Sequence, residues 1–543
     1  MSEESPFAIF EGVDSRKKLT LALVVLVFFG LLGLAIYGWI TSAAESDIHL
    51  DILGLIAYVC DTVFGKEYIL LGDHPQFPNW AVQISTYGFK LLFLLAVIKG
   101  GLILFGRKAG EWWYQNISKP SAHTVICGMG QRGSVLAKRL HGKGVRLAVI
   151  EIDEENPELE ALSALGIHVV IGNALDEAVL CKARAGHAAR VIALLPNGER
   201  NVSLASEVDR MGGAEVIAGV ESYALRSLFR KMPRVRLVGF EARAARRILN
   251  DLACRVAIDP EARKLGVSLL IEAANPFRDE LIRAASVFLQ ISGDTLPSIT
   301  VTHASERDRR EFEARYPDSF RVLRMKWHDG PADEVFLKDG TPAPDLAVFA
   351  LHDDTATLDA AEQFRVRIGN RHGSKDAVMA CIRDSDELLG LAKGTGGFAV
   401  CNLFERSLGD EDPLDDSSEN VARELHEAYC RENPGQLPAW AELPEMVKDS
   451  NRLAAAHDAV KKAIWHSRGE ESEDVIIEHL ARCEHLRWMA EKVMDGWRWS
   501  GSPDKSSRDN SRLLHHLFVP YDQLSQEERD KDVTVVRKTL KLA

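Results

Sequence analysis

The chain has 543 residues, of which 46% are hydrophobic and 27% are charged, a balance that excludes a wholly disordered protein. Its 66 basic and 79 acidic residues give a net charge of −13, which argues against a protein that coats nucleic acid, so we expect no nucleic-acid partner. At roughly 150 residues per domain, this length predicts about three or four domains. The eight cysteines are scattered without a C-x-x-C pair, so neither a disulfide scaffold nor a metal site is expected.

Two apolar segments near the N-terminus predict a two-helix transmembrane domain over residues 17–110. Residues 19–44 contain no charged side chain. About 20 apolar residues are enough to cross a bilayer as a helix. The alternative for this segment is a signal peptide, but the stretch is long for that role and a second segment follows it. The second segment, about 80–105, carries Lys99, which would face either a water-filled lumen or partner helix, or the cytoplasmic interface.

The charges around these segments predict their orientation in a lipid bilayer. Basic residues at 16–18 precede the first segment, basic residues at 107–108 follow the second, and the connecting loop is mainly acidic. The positive-inside rule therefore predicts a multi-pass inner-membrane protein with both termini, including the tail 1–16, in the cytoplasm. Residues 62–65, TVFG, are a poor substitute for a TVGYG filter, so these residues do not support potassium-selective conduction.

A glycine-rich loop follows the membrane segments at the start of an alternating pattern of strands and helices. Gly128, Gly130 and Gly133 fit G-x-G-x-x-G between a predicted strand at 124–127 and a helix, where free amides bind a pyrophosphate. Glu151 ends the next predicted strand, 18 residues after Gly133, where a carboxylate binds adenosine ribose hydroxyls. Further strands are predicted at 146–150, 168–171, 190–195, 216–220 and 235–239. This order predicts an α/β Rossmann-like domain with a dinucleotide site.

The residues of this domain also resemble a known regulatory family. The segments ICGMGQRG, VIEID and IGNALDEAVLCKARAGHAARVIAL are similar to the NAD-binding domain of Trk-type potassium uptake systems and RCK-gated channels, over about 120–245. The resemblance implies NAD(H) or a related adenine nucleotide as cofactor, a homo-oligomer (dimer or tetramer), and gating of a membrane partner. No hydride-transfer partner is present, so we expect no enzyme. The predicted cofactor-binding residues are Gly128, Gly130, Gln131, Arg132, Gly133, Glu151, Asp153, Asn173 and Ala174.

Residues 246–408 predict a second, degenerate Rossmann-like domain. We expect 246–296 to be helical and connecting, followed by strands at 298–302, 321–325, 346–351 and 377–382. The first of these expected strands is followed by HASE in place of glycines, so no pyrophosphate cradle is expected. A packing or coupling role is predicted, with binding of a different small ligand as the alternative.

After a linker and helix at 409–439, the C-terminal residues 440–543 resemble the ryanodine-receptor (RyR) repeat domain. The resemblance rests on EH-RW at 484–488, GW at 496–497 and VPY at 519–521, and it implies binding of a nucleotide-derived signal. Cationic side chains there would meet phosphates and aromatic rings would stack on bases. Core packing of the tryptophans and solvation of the charges are the alternatives. The predicted ligand-sensing residues are Asn451, Arg452, Arg487, Trp488, Lys492, Trp497, His516 and Tyr521.

Together these features predict two transmembrane α-helices, two Rossmann-like α/β domains and an α-helical RyR-like domain. The function expected from them is a nucleotide-regulated ion channel or pore-forming effector, with a role in stress or antiphage response. A non-conducting regulatory subunit of a potassium transporter and a membrane-anchored NAD-using enzyme are the two alternatives.

Overall fold

The computed structural model falls into two compact units, Met1–Ser118 and Lys119–Ala543. The residues that the structure describes are 15–45, 51–64, 69–71, 74–76, 80–113, 122–229, 234–274, 276–337, 341–369, 377–383, 388–390, 397–409, 412–414, 417–432, 435, 438–443, 445–469 and 471–541. The predicted N-terminal tail and parts of the predicted linker at 409–439 lie outside them.

The first unit is built from helices with apolar surfaces. Its elements are α1 (Ser15–Glu45), α2 (Ile52–Val63), a short hairpin of β1 (Ile69–Leu71) and β2 (His74–Gln76), and α3 (Trp80–Trp113). Both α1 and α3 contain a stretch long and apolar enough to cross a membrane, at Leu26–Glu45 and Trp80–Val97, as predicted. Many apolar side chains on these helices are exposed, which is typical of a surface covered by lipid or by another helix.

One buried aromatic residue fixes α2 against α1. Trp39 donates a hydrogen bond of 2.7 Å from its indole nitrogen to the Thr62 hydroxyl, and its ring stacks on Tyr58 with centroids 4.9 Å apart. The amphipathic loop segment between the two long helices therefore forms a helix of its own that packs against α1.

The second unit begins with a six-stranded parallel sheet in the strand order β5-β4-β3-β6-β7-β8. This order places the chain reversal between β3 and β6, which is the Rossmann arrangement and confirms the predicted fold class. The strands are β3 (Thr124–Cys127), β4 (Leu147–Glu151), β5 (His168–Ile171), β6 (Arg190–Ala193), β7 (Glu215–Gly219) and β8 (Val235–Val238). The helices are α4 (Gln131–Gly142), α5 (Glu158–Ala164), α6 (Glu177–Lys182), α7 (Gly198–Met211), α8 (Tyr223–Leu228) and α9 (Phe240–Ala257).

A second six-stranded parallel sheet repeats the same order, β11-β10-β9-β12-β13-β14. Its strands are β9 (Ser268–Ala273), β10 (Ser298–Val301), β11 (Arg324–Trp327), β12 (Leu346–Ala350), β13 (Val378–Ile382) and β14 (Ala399–Asn402). The helices around it are α10 (Pro260–Leu265), α11 (Phe277–Phe288), α12 (Glu306–Arg315), α13 (Ala332–Phe336), α14 (Asp354–Arg367) and α15 (Leu403–Ser407).

The expectation that 246–296 is only helical and connecting was wrong. This stretch contains β9, the central strand of the second sheet, so the strand at 298–302 is the second strand and not the first. Five of the six residues of β9 are fully buried, and a strand buried on both faces shows no polar–apolar alternation. The sequence of β9 therefore shows no alternation from which a strand could be predicted.

The C-terminal region packs onto the preceding domains through a shared core. It contains α16 (Ser417–Glu432), α17 (Glu445–Ser467), α18 (Glu473–Met494), β15 (Arg498–Trp499), β16 (Leu514–His515) and α19 (Gln526–Leu540). Buried side chains of α9, α11, α17 and α18 join those of the second sheet in one hydrophobic cluster. The RyR-like helices and the second Rossmann-like domain are thus parts of one packed body.

Candidate functional site

The glycine loop between β3 and α4 has the geometry of a phosphate cradle. Gly128 has a φ of +94°, and a Cβ there would lie 2.8 Å from the Leu194 carbonyl oxygen. A Cβ on Gly133 would lie 1.9 Å from the Gly128 carbonyl oxygen, so only glycine lets α4 pack this close to the loop. Gly130 is different, because a Cβ there would meet nothing within 4 Å. The space beside Gly130, at the N-terminus of α4, is open to a ligand.

Glu151 braces this loop from the end of β4. Its carboxylate is buried and accepts backbone N–H bonds from Met129 at 2.6 Å, Ile152 at 2.7 Å and Asp153 at 3.0 Å. A carboxylate has about four lone-pair positions, so capacity remains for one further donor such as a ribose hydroxyl.

The other predicted residues of this side of the sheet lie near the strand ends. Asp153 and Asn173 are exposed, and each accepts a hydrogen bond within its own turn, from the Glu155 and Leu175 backbone N–H groups. Ala174 is buried. The end of β5 is tied to the end of β4 by a 2.8 Å bond from the Gly172 N–H to the Glu151 carbonyl oxygen.

One residue of this site was missed by the sequence analysis. Asn156 donates from its side-chain amide to the Met129 carbonyl oxygen at 2.9 Å, while its side-chain oxygen accepts from the Glu158 N–H at 3.0 Å. Asn156 therefore both braces the glycine loop and caps the start of α5. The Asn-Pro pair at 156–157 is a turn signal that marks this position in the sequence.

Arg132 points from the glycine loop toward the second Rossmann-like domain. Its guanidinium forms a 2.8 Å ion pair with Glu221 and lies 5.9 Å from the centre of the Phe404 ring. Gln131 and Arg132 line one side of a cleft of about 220 Å³. The complete lining is Gln131, Arg132, Val135, Phe240, Glu241, Arg383, Asn402, Leu403 and Phe404.

A chain of charges crosses this cleft between the two domains. Glu241 accepts a 2.7 Å hydrogen bond from the Arg383 guanidinium and donates its own backbone N–H to Glu221 at 3.0 Å. Burial raises the pKa of Glu221 above its ordinary value, against the opposing effect of Arg132. Paired charges across the cleft therefore connect α4 of the first sheet to the carboxyl end of β13 in the second sheet.

In the C-terminal region, Arg487 and Lys492 lie in a buried ion network. The Arg487 guanidinium is bonded to Glu484 at 2.9 Å and to Glu491 at 2.8 Å, and Lys461 pairs with Glu484 at 2.8 Å. Burial acts to lower the pKa of Arg487, but the two carboxylates outweigh it and hold that pKa above the usual range. Lys492 pairs with Glu491 at 3.0 Å. The cationic groups predicted to meet phosphates are here neutralised by carboxylates of the same network.

The predicted stacking residues form an aromatic cluster with two histidines. Trp488 meets His515 edge to face with centroids 4.8 Å apart, and Trp497 meets the same ring at 5.7 Å. His516 is buried and stacks on His515 at 5.0 Å. Buried Tyr521 also packs against His485, with centroids 6.1 Å apart. This packing agrees with the alternative that the tryptophans are core residues. Stacking of a ligand on these rings stays a prediction.

Arg452 forms ion pairs of its own on α17. It is buried and bonded to Asp449 at 2.6 Å and to Glu419 at 3.2 Å. Burial acts to raise the pKa of Asp449, but Arg452 and Arg246 outweigh it and bring that pKa to about 2. Half-buried Asn451 precedes Arg452 on α17. The structure thus separates the predicted sensing residues into an ion network, an aromatic cluster and this arginine–aspartate contact with α9.

Lys99 lies in α3, and its side chain is outside the described residues. Within the described ranges, no group of three His, Cys, Asp or Glu residues is placed to hold a metal ion.

Two family models match separate parts of the chain. The TrkA-N domain model matches residues 124–237 and the RyR domain model matches residues 470–543. The chain combines a TrkA-N domain with an RyR domain. Both resemblances found in the sequence are confirmed, and no curated protein matches the chain.

Several solved structures match this chain at low identity and with TM-scores below 0.5. The "GsuK Channel" is 16% identical with a TM-score of 0.39, over 72% of this chain and 96% of that chain. The "GsuK channel bound to NAD" is 14% identical with a TM-score of 0.39, over 72% and 82%. The TrkA-N domain of inner membrane protein ybaL from Escherichia coli is 25% identical with a TM-score of 0.19, over 20% and 80%.

Proposed function

We propose that this protein is a homo-oligomeric, nucleotide-regulated ion channel or pore-forming effector of the inner membrane. In this account α1 and α3 cross the lipid bilayer, both termini are cytoplasmic, and the TrkA-N domain binds NAD(H) or a related adenine nucleotide. Ligand binding biases the geometry of the cytosolic region, and that change opens or closes a pathway formed by the membrane helices. Such regulation requires that the ligand bind the two states with different affinity. A stress or antiphage response is the setting we expect.

The observation that carries the proposal is the open space beside Gly130 at the N-terminus of α4. The neighbouring glycines are both closed in by backbone oxygens, at Gly128 and Gly133, whereas Gly130 faces nothing within 4 Å. Amides at a helix N-terminus with a buried carboxylate, Glu151, at the next strand end are what an adenosine pyrophosphate requires. The same chain carries two helices apolar enough to cross a membrane.

A regulatory role is also favoured over catalysis. The described side chains around the glycine loop engage in bracing bonds, as Glu151 and Asn156 do, or in ion pairs, as Arg132 does. We therefore propose that the protein is not an enzyme. The RyR domain would act as a second sensing module, and Arg452, which contacts Asp449 beside Arg246 of α9, is the residue best placed to pass its state to the TrkA-N domain.

The test is nucleotide binding by the full-length protein in lipid nanodiscs, measured as thermal shifts and by calorimetry. The panel is NAD, NADH, ATP, ADP, ADP-ribose and a cyclic dinucleotide. A ligand at about 100 times its dissociation constant should stabilise its domain by roughly 2.7 kcal/mol. Gly130→Ala should remove that shift, because its methyl group enters the open space. If no adenine nucleotide shifts the wild-type midpoint, the proposal loses its ligand and a structural transporter subunit is favoured.

A further inference from the structure

The cleft between the two Rossmann-like domains is chemically unlike the glycine loop beside it. It is bounded by Arg132 of α4 and by Glu241 at the start of α9, after the last strand of the first sheet. Arg383 and Asn402 enter from the carboxyl ends of β13 and β14. At about 220 Å³, it has room for a planar ring of the size of a pyridine or a nucleobase.

The buried ion pair in this cleft leaves one acceptor and one donor unused. Glu241 and Arg383 are joined by a single 2.7 Å bond between Oε1 and a terminal guanidinium nitrogen. Glu241 Oε2 and Arg383 Nε are both buried and have no hydrogen-bond partner among the described residues. The side chain of Glu241 is only 7% exposed. A buried carboxylate oxygen without a donor costs free energy, so this pair is suited to a ligand that supplies one.

A primary carboxamide on a flat ring supplies what the cleft lacks. Its NH₂ group donates to a carboxylate oxygen such as Glu241 Oε2, and its carbonyl oxygen accepts from a donor such as Arg383 Nε–H. Phe240 and Phe404, with ring centroids 5.1 Å apart, add apolar aromatic faces to the lining. A carboxylate in place of the carboxamide would instead meet Glu241 with like charge.

The position of the cleft agrees with the path of a dinucleotide. A dinucleotide crosses such a sheet at the point where the strand order reverses, here between β3 and β6. Glu151 lies at the end of β4 on one side of that point, and Glu241 follows β8 on the other. Gln131 and Arg132 connect the glycine loop to the cleft between them.

We propose that this cleft binds the carboxamide-bearing ring of a dinucleotide, and that Arg383 brings the second Rossmann-like domain into the ligand site. This inference rests on the proposed nucleotide binding at the glycine loop. The degenerate domain, which lacks a glycine loop of its own, thereby contacts the carboxamide-bearing half of the dinucleotide.

The test compares three ligands on the full-length wild-type protein by calorimetry: NAD, its deamidated nicotinic-acid analogue, and ADP-ribose, which lacks the ring. NAD should bind at least about tenfold more tightly than ADP-ribose, because bonds to charged groups are worth about 1.5–3 kcal/mol. The deamidated analogue should bind less tightly than NAD, because its carboxylate has no N–H group to donate to Glu241 Oε2. Glu241→Gln should reduce the preference for NAD, whereas Glu362→Gln, on exposed α14, should leave it unchanged.

The outcomes separate this inference from the proposed function. Equal affinities for NAD, the deamidated analogue and ADP-ribose overturn the ring site and leave nucleotide binding intact. Absence of binding by all three overturns the proposed function and this inference with it. Because the ligand series needs no substitution, it decides the question even if Glu241→Gln fails to fold.

Discussion

At the scale of single residues, the glycines of the loop differ in whether packing requires them. Gly133 is required by packing, since a Cβ there would collide with the Gly128 carbonyl oxygen at 1.9 Å. Gly130 is not required by packing, and its φ of −61° is available to any residue. The open space at Gly130 is where the proposed nucleotide would approach the backbone.

We therefore expect two alanine substitutions in this loop to differ in their effect on stability. Gly133→Ala should lower the free energy of unfolding by about 1–3 kcal/mol or more, because overpacking displaces α4 from the loop. Gly130→Ala should change stability by no more than about 0.5 kcal/mol. Thermal unfolding of both variants without ligand measures this difference. Equal destabilisation by the two would show that Gly130 also serves packing.

A second residue-scale prediction concerns the pH dependence of the RyR domain. Burial raises the pKa of Asp532 to about 7, from an ordinary value near 3.8. The folded state therefore binds the proton more tightly than the unfolded state, and this stabilisation, present below about pH 4, is lost as the pH rises to about 7. Asp532→Asn should raise stability by about 1–3 kcal/mol at pH 8 and change it little at pH 4.

Unfolding midpoints at the two pH values, with exposed Asp530→Asn as the control, check this prediction. Destabilisation of Asp532→Asn at pH 8 would mean that the ionised carboxylate is bonded in the folded state, through its 3.6 Å approach to His485.

At the scale of elements, the ion network of Lys461, Glu484, Arg487 and Glu491 joins α17 to α18. Its members are almost fully buried, and removing one partner from a buried network leaves a charge without compensation. The network gives Arg487 a structural role that its sequence resemblance alone did not reveal.

Arg487→Met should therefore lower the unfolding free energy of the RyR domain by about 3–5 kcal/mol. Arg482→Met, on the same helix, removes ion pairs with the exposed carboxylates of Asp294, Glu478 and Asp522 and should cost less, about 1 kcal/mol. Tryptophan fluorescence during denaturation checks this difference, and Trp488 and Trp497 of this domain are among the ten tryptophans that contribute to the signal. A fully stable Arg487→Met protein that has lost a nucleotide response would instead place Arg487 in a ligand site.

The strands of the two sheets differ in how far they could be predicted. Those of the first sheet were predicted to within two residues, because each apolar run is bounded by turn residues and followed by an amphipathic helix. In the second sheet, β9 and β14 were missed. The SLLIEA run of β9 is uniformly buried, and the AVCN run of β14 is too short to carry a period.

The glycine loop itself could be predicted because its constraints are local, within 24 residues from Gly128 to Glu151. The cleft could not, because Arg132, Glu241 and Arg383 are far apart in the sequence and meet only through the packing of two sheets.

At the scale of the whole molecule, the described elements of the second unit, Lys119–Ala543, form a continuous body. One hydrophobic cluster contains side chains of α9, which follows the TrkA-N sheet, of the second sheet, and of α17 and α18 in the RyR region. Packed interiors transmit displacement because they contain few voids. A ligand that moves Arg132 or Arg383 at the cleft therefore acts on a body that includes the RyR domain.

The central claim is that nucleotide binding at the TrkA-N domain controls ion movement through the membrane helices. The most direct measurement is ion flux from proteoliposomes that contain the full-length protein, with and without NAD, for the wild type and for Gly130→Ala. We expect a flux that changes with NAD in the wild type and does not change in Gly130→Ala. A wild-type flux that is indistinguishable from that of empty liposomes under both conditions, or that NAD leaves unchanged, would contradict it.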